Sequence, residues 1–193
     1  MERVRAVFAS RNGGKARELE RLLPGWEVAV LDADAYPPET GETYYENALG
    51  KARFGREVGP ADAWSIGEDS GIEVAGLDGG PGVHSARFAG GDEVGRLLAA
   101  LEGIAGDGRR ARYVSELVVL TASGEELRGT GTLEGRIAHE PAGSEGFGYD
   151  PIFVPDGEQR TVAELGDGWK AENSHRARAA RALLASLARR GEA

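Results

Sequence analysis

The sequence has no cysteine, and none of its apolar runs approaches the roughly 18 residues that a membrane-spanning helix requires. The first absence excludes a disulfide-stapled scaffold and any zinc or iron–sulfur site built on cysteine ligands. It is also compatible with a reducing compartment, and we predict a cytoplasmic protein with no membrane partner. A chain of 193 residues can bury a core without staples, so we expect one domain over residues 1–193.

Positive charge is also scarce, because 23 basic residues face 32 acidic ones and leave a formal charge of -9. Proteins that bind nucleic-acid polymers usually show a basic face, so this balance argues against such a partner. A small anion senses only the local field and remains compatible with it. Lysine is rarer still, since only Lys15, Lys51 and Lys170 interrupt the use of arginine. A compact ammonium is a common phosphate ligand, and chance is the alternative explanation for these three positions.

The apolar pattern alternates between strand and helix in the first half of the chain and then predicts a hairpin. Predicted strands cover residues 3–9, 27–31, 63–67, 72–75, 110–121, 125–138 and 152–154. Predicted helices cover residues 15–23, 43–58, 92–104 and 174–190. The second of these helices begins with a capping box, Thr43 followed by Glu46. This order of elements favours an α/β protein with a mixed sheet.

The turn after the first predicted strand is rich in glycine and polar side chains. It reads Ser10-Arg11-Asn12-Gly13-Gly14-Lys15 and leads directly into a helix. Glycine permits close approach of the backbone, and a helix N-terminus offers free N–H groups to a phosphate. The segment is not a Walker A loop, because Ala9 and Ala16 replace residues which that motif needs. An ordinary strand-to-helix turn is the alternative.

Two adjacent carboxylates, Glu68 and Asp69, are predicted at the end of a short strand, where residues 68–71 begin a turn. In α/β folds, ligands bind beyond such strand ends. A carboxylate pair there could hold Mg²⁺ and orient a water for attack on phosphorus. Glu39 offers a further carboxylate from the loop before the second helix. A solvated acidic turn is the alternative reading of the pair.

Two later segments are unusual for plain turns. Residues 146–151 place Phe147 and Tyr149 between glycines, where they could present a flat face to a base or cover the core instead. At the start of the last helix, His175 and Arg176 combine side-chain donors with a helix N-terminus. A cap followed by solvent-facing basic residues would explain that segment as well.

In this order, the segments resemble the inosine triphosphate pyrophosphatases, also called the Ham1 or RdgB family. The resemblance covers about residues 3–188. Its matching motifs are Ser10-x-Asn12-x-x-Lys15, Glu39-Thr40-Gly41, Glu46-Asn47-Ala48-x-x-Lys51-Ala52, Asp69-Ser70-Gly71, Ser85-Ala86-Arg87, Gly146-Phe147-Gly148-Tyr149-Asp150-Pro151 and Ser174-His175-Arg176. The family hydrolyses deaminated purine nucleoside triphosphates to the monophosphate and pyrophosphate. The resemblance therefore implies that this chain hydrolyses ITP, dITP and XTP and so cleanses the nucleotide pool.

The resemblance also implies a fold, a cofactor and a set of site residues. The fold is a long, twisted mixed sheet flanked by helices, with two lobes and a central substrate cleft, in a homodimer. Mg²⁺ is the implied cofactor, with Glu39 and Asp69 as its ligands, and Asp69 is also the implied general base. The implied substrate-binding residues are Ser10, Arg11, Asn12, Gly13, Gly14, Lys15, Ser70, Phe147, Gly148, Tyr149, Asp150, Lys170, His175 and Arg176.

Within that set, residues 10–15 would cradle the triphosphate and Phe147 would stack on the base. The sequence departs from the family at Glu68, where aspartate is usual, so the role of Glu68 stays open. Two other functions also stay open at this point. One is a pyrophosphatase for other modified nucleotides, such as a pyrimidine triphosphate. The other is a non-catalytic nucleotide sensor, against which the intact Asp69 argues.

Overall fold

The computed structural model describes residues 3–190, without the side chains of Ala89 and Arg190. Within this range the chain forms two compact units. The first unit is built from residues 3–69, 115–131 and 176–190, and the second from residues 70–114 and 132–175. The prediction of a single domain over 1–193 stays a prediction, and residues 1–2 and 191–193 lie outside the described range.

Six strands form one mixed sheet in the order β2-β1-β3-β4-β5-β6. The strands are β1 (Val4–Phe8), β2 (Trp26–Val30), β3 (Trp64–Val74), β4 (Arg110–Leu120), β5 (Glu126–Ile137) and β6 (Phe153–Pro155). Strand β1 pairs in parallel with both β2 and β3, whereas β5 and β6 pair in antiparallel fashion. The predicted mixed α/β fold is therefore confirmed.

Strand β3 corrects the sequence analysis, because it runs unbroken through the segment predicted as a turn. The two short strands predicted at 63–67 and 72–75 are one strand of 11 residues, and Glu68 and Asp69 lie in its middle. Carboxylates and glycine are disfavoured in strands, which is why the pattern indicated a break. Here the whole segment from Ser65 to Asp69 is buried, and neighbouring cations compensate the two charges.

Six α-helices accompany the sheet within residues 3–190. They are α1 (Gly13–Leu22), α2 (Tyr44–Val58), α3 (Ser85–Ala89), α4 (Glu93–Ala100), α5 (Val162–Asn173) and α6 (His175–Arg190). The capping box of Thr43 and Glu46 at the start of α2 is present as predicted. Helix α4 ends before the predicted residue 104, ahead of Gly103 with a φ of 75°. Helices α3 and α5 were missed, and α5 contains the helix-weakening residues Gly166 and Gly168.

Each unit has its own apolar core. In the first unit, Leu183 and Leu187 of α6 pack with Phe8, Ile66 and Leu117. In the second unit, Ile72, Leu97, Tyr113, Tyr149 and Phe153 belong to one cluster. No helix within residues 3–190 is long and apolar enough to cross a membrane.

One glycine sets the approach of α2 to β3. A Cβ atom at Gly67 would overlap the carbonyl oxygen of Ala48 and lie 2.6 Å from the amide nitrogen of Ala52. Only glycine can therefore occupy this position without moving the helix. The close approach brings one face of α2 against the strand at the residue next to Glu68.

Candidate active site

Asp69 is held in the middle of β3 by two side chains from α2. Asn47 donates from Nδ2 to Asp69 Oδ2 at 3.1 Å, and Lys51 Nζ lies 3.1 Å from Asp69 Oδ1. Asn47 and Lys51 are four residues apart, so they share one face of the helix. Lys51 also donates to the backbone carbonyl of Glu68 at 2.9 Å. These contacts fix the carboxylate of Asp69 in one orientation.

The electrostatic surroundings of Asp69 make it a stronger base than an ordinary aspartate. Burial raises its pKa, the Lys51 and Lys15 ammonium groups lower it, and the Glu68 and Glu39 carboxylates raise it again. The net direction is upward. A carboxylate with a raised pKa is suited to accept a proton from water.

Glu39 and Asp69, the two predicted metal ligands, converge on one cation of the protein. Lys51 Nζ lies 2.5 Å from Glu39 Oε1 and 3.1 Å from Asp69 Oδ1. Burial alone would lower the pKa of Lys51, but the two carboxylates outweigh it and raise that pKa. Among the described residues, no group of three or more His, Cys, Asp and Glu side chains is arranged as a metal site. The carboxylates of Glu39 and Asp69, which are oxygen donors of the kind that bind hard cations, both contact the Lys51 ammonium group.

Glu68 is the centre of a buried ionic network. Its Oε2 lies 2.7 Å from Lys15 Nζ, and its Oε1 accepts from Ser115 Oγ at 3.1 Å and from Arg176 Nε at 3.2 Å. Arg176 in turn binds the carboxylate of Glu18. Burial would raise the pKa of Glu68, but Arg176 and Lys15 outweigh it and hold that pKa well below its usual range. Glu68 therefore stays ionised and orients two cations.

The turn at residues 10–15 is organised by its own side chains. Asn12 is the N-cap of α1, because its Oδ1 accepts from the Lys15 amide at 3.1 Å. Ser10 Oγ accepts from the amide of Asn12 at 3.1 Å. Gly13 and Gly14 are the first residues of the helix, two positions earlier than predicted. Arg11 instead binds the carbonyl oxygen of Asp34 at 2.8 Å. The start of α1 thus has the positive end of a helix dipole, and the Lys15 ammonium lies against Glu68.

The second unit contains a separate cluster built on Asp150. This carboxylate is buried, and its Oδ2 accepts from Lys170 Nζ and from the amide of Phe147, each at 2.8 Å. Lys170 Nζ lies 4.4 Å from the centre of the Phe147 ring. The Phe147 side chain remains 37% exposed, which is unusual for a large apolar group. Gly148, with a φ of 64°, turns the chain between Phe147 and the core.

Two further predicted residues of this unit are buried. His175 stacks on the ring of Tyr113 at 4.5 Å with an interplanar angle of 11°, and the Tyr113 hydroxyl lies 3.4 Å from Asp150 Oδ1. Tyr149 faces the core, where its hydroxyl donates to the carbonyl oxygen of Ser85 at 2.9 Å. Burial raises the pKa of Tyr149 to about 12. Of the two aromatics in the glycine loop, Phe147 is thus exposed and Tyr149 is buried.

The alternative of solvent-facing basic residues at the start of α6 is wrong, because His175 and Arg176 are 6% and 2% exposed. Ser70, which follows Asp69 on β3, is half-buried. Sequence reasoning missed Glu18 and Tyr113 entirely. A signal for Glu18 existed, since it lies three residues after Lys15 on the same face of α1. No local signal marked Tyr113, whose role depends on the fold.

Comparison with known proteins agrees with this geometry. The sequence profile of the Ham1 family matches residues 6–186. The dITP/XTP pyrophosphatase of Symbiobacterium thermophilum is 47% identical over 97% of this chain and 96% of its own length. That of Bdellovibrio bacteriovorus is 42% identical over 93% and 96%. The structure of the Staphylococcus aureus Ham1 protein superposes with a TM-score of 0.83 at 34% identity, covering 96% of this chain and 99% of that one. The chain therefore belongs to the Ham1 family.

Proposed function

We propose that this protein hydrolyses deaminated purine nucleoside triphosphates, namely ITP, dITP and XTP, to the monophosphate and pyrophosphate. Such an activity removes non-standard nucleotides from the pool. The observation that carries the proposal is the Asp69 carboxylate, which is oriented by Asn47 and Lys51 and has a raised pKa. Relatives named dITP/XTP pyrophosphatase that cover nearly the whole chain support it.

The proposed reaction is one displacement at the α-phosphorus. Asp69 accepts a proton from a water molecule whose oxygen forms the new bond to that phosphorus. The bond to the bridging oxygen breaks, and pyrophosphate leaves with the electron pair. Lys15 and the free N–H groups at residues 13–14 bind the phosphate oxygens and stabilise the charge that develops on them. Ser10 and Asn12 shape this cradle, and Arg11 flanks it from its contact with Asp34.

Mg²⁺ is proposed as the cofactor, and the residues present fit it. Glu39 and Asp69 already converge on one positive charge, and their carboxylate oxygens are ligands that Mg²⁺ prefers. When bound, Mg²⁺ supplies neutralisation of the triphosphate charge. The two roles assigned to Asp69 compete, because a directly bound cation lowers the basicity of a carboxylate. Glu39, unlike Asp69, is proposed only as a metal ligand and not also as a general base.

The Asp150 cluster is proposed to bind the base. The exposed ring of Phe147 stacks on the purine, and Asp150 fixes both Phe147 and Lys170. Lys170 and His175 provide donors toward the base, and donors to O6 would be left unpaired against the amino group of adenine. Arg176, from the Glu68 network, provides a further donor toward the nucleotide. Ser70, Gly148 and Tyr149 complete the proposed contacts, with Tyr149 acting from within the core.

Two further proposals concern the assembled state, which rests on the family resemblance, and the cellular compartment, which rests on composition. The family implies a homodimer as the assembled state. The absence of cysteine is compatible with the reducing cytoplasm as the compartment of the enzyme.

The products of ITP hydrolysis test the function. We expect inosine monophosphate and pyrophosphate in equal amounts, with ITP and XTP cleaved faster than dTTP at the same Mg²⁺ concentration. Orthophosphate in place of pyrophosphate would contradict attack at the α-phosphorus. A preference for dTTP would favour a pyrophosphatase for other modified nucleotides. A wild-type protein that binds ITP but cleaves nothing would be the nucleotide sensor.

A further inference from the structure

Helix α5 is broken at Gly166, four residues before Lys170. Gly166 has φ 84° and ψ 174°, values that no residue with a side chain adopts readily. The helical segment from Asp167 onward therefore starts anew, and Gly166 offers no side chain to accept from its first amides. Such a start normally requires an acceptor close to the exposed N–H groups.

Glu145 of the glycine loop provides that acceptor. The amide of Asp167 donates to Glu145 Oε2 at 3.0 Å. A Cβ atom at position 166 would lie 2.9 Å from the same oxygen, so the glycine is what lets the carboxylate approach. The negative charge also suits the positive end of the helical segment. Glu145 thus caps a helix from a position 21 residues before the break, although its side chain is exposed.

The two segments joined by this contact carry the groups assigned to the base. Phe147 lies two residues after Glu145, and Lys170 lies three residues after Asp167. Lys170 Nζ reaches Asp150 at 2.8 Å and the Phe147 ring at 4.4 Å. A second link between the same segments is weaker, because the amide of Glu145 donates to the carbonyl oxygen of Ala163 at 3.4 Å. Glu145 therefore contacts this helix through both its side chain and its backbone amide, next to Phe147.

We propose that Glu145 is a positioning residue for base recognition, which acts by capping the helical segment that carries Lys170. The inference rests on the proposed function for the role of Phe147 and Lys170, but not for the contact itself. Both groups would touch the base and not the reacting phosphorus. Loss of their alignment then weakens binding of the ground state and the transition state equally, which raises KM and leaves kcat unchanged.

Three variants test this role. Glu145→Ala removes the acceptor, and a lost cap is expected to raise the KM for ITP about fivefold, equivalent to ~1 kcal/mol. Glu145→Gln keeps an oxygen that can accept from the Asp167 amide, so its KM should stay close to that of the wild type. Glu140→Ala is the matched control, because Glu140 is an exposed glutamate of the same loop and makes no polar contact within the described residues. Its KM should not change.

Amide hydrogen exchange of residues 166–170 is the second readout, and it needs no substrate. Exchange should accelerate in Glu145→Ala and remain as in the wild type in the other two variants. An unchanged KM and unchanged exchange in Glu145→Ala would overturn the proposal, as would a Glu145→Gln variant as impaired as Glu145→Ala. If the wild-type protein cleaves no nucleotide, the proposed function fails, while the exchange data still decide whether Glu145 holds the segment.

Discussion

The two clusters of buried charge differ in their balance. Around Asp69 in the first unit, four carboxylates face three cations: Glu18, Glu39, Glu68 and Asp69 against Lys15, Lys51 and Arg176. Around Asp150 in the second unit, one carboxylate faces one cation, Lys170. Among these ion pairs, the carboxylates of the first cluster outnumber its cations by one, whereas the two charges of the second cluster match.

This difference matches the roles proposed for the two clusters. An excess of carboxylates among the ion pairs of the first cluster favours an additional cation when a triphosphate binds, which is the role proposed for Mg²⁺. A matched ion pair beside an exposed aromatic residue suits an uncharged base, which binds by stacking and hydrogen bonds. The comparison therefore predicts that perturbations of the first cluster change chemistry and metal dependence, whereas perturbations of the second change only affinity.

The largest effect is expected from Asp69→Asn, which keeps the shape of the side chain and removes its basicity. We expect kcat for ITP to fall by about 10²- to 10⁴-fold, the range typical of a lost general base. Steady-state kinetics at saturating Mg²⁺ measures it. Asp62→Asn, an exposed aspartate that pairs only with the exposed Arg5, is the control and should keep its activity. A kcat for Asp69→Asn within a few-fold of the wild type would contradict the assignment.

The next effect concerns stability. Glu68→Gln removes the buried anion that binds Lys15 and Arg176 and leaves Arg176 with Glu18 alone. Breaking a buried ion pair costs about 3–5 kcal/mol in the free energy of unfolding. Glu116→Gln is the matched control on β4, because its partner Arg128 is half exposed and can be solvated instead. Denaturant unfolding of both variants measures the difference. Equal losses would show that burial of the Glu68 network carries no special stability.

The ionised Glu68 also makes the stability of the wild type depend on pH. The folded-state pKa of Glu68 lies below its unfolded value, so the ionised group stabilises the fold above the unfolded pKa of about 4.3. That contribution is lost as the pH falls below this value. The stability of the wild type should therefore drop more steeply on acidification than that of Glu68→Gln.

The smallest effects separate the two clusters directly. Glu39→Gln should raise the Mg²⁺ concentration for half-maximal activity and leave the KM for ITP at saturating Mg²⁺ unchanged. Phe147→Ala should do the reverse, with a KM raised about tenfold, because stacking on one aromatic ring contributes roughly 1–3 kcal/mol per base. Titrations of Mg²⁺ and ITP on each variant measure both constants. A variant that shifts both constants equally would break the separation of roles.

Features that depend on neighbours in sequence were predictable. The capping box at Thr43 lies within one helical turn, and the rarity of lysine marked Lys15, Lys51 and Lys170 before any contact was known. The order of the motifs then indicated the family and with it the mixed sheet. Local propensity and a motif order are enough for these conclusions.

Features that depend on distant neighbours were not predictable. The strand through Glu68 requires Arg176, which lies 108 residues later in the chain, to compensate a charge that would otherwise end the strand. The second half of α5 likewise requires Glu145, 22 residues earlier, to cap a helix that Gly166 interrupts. In both places local sequence disfavours the element that forms, and the structure shows a tertiary contact there.

Hydrolysis of ITP in ¹⁸O-labelled water tests the central claim most directly, since the water oxygen remains on the phosphorus it attacks. If Asp69 and its neighbours direct water to the α-phosphorus, the label appears in inosine monophosphate and none enters pyrophosphate. Label in pyrophosphate would place the attack on the β-phosphorus and contradict the account.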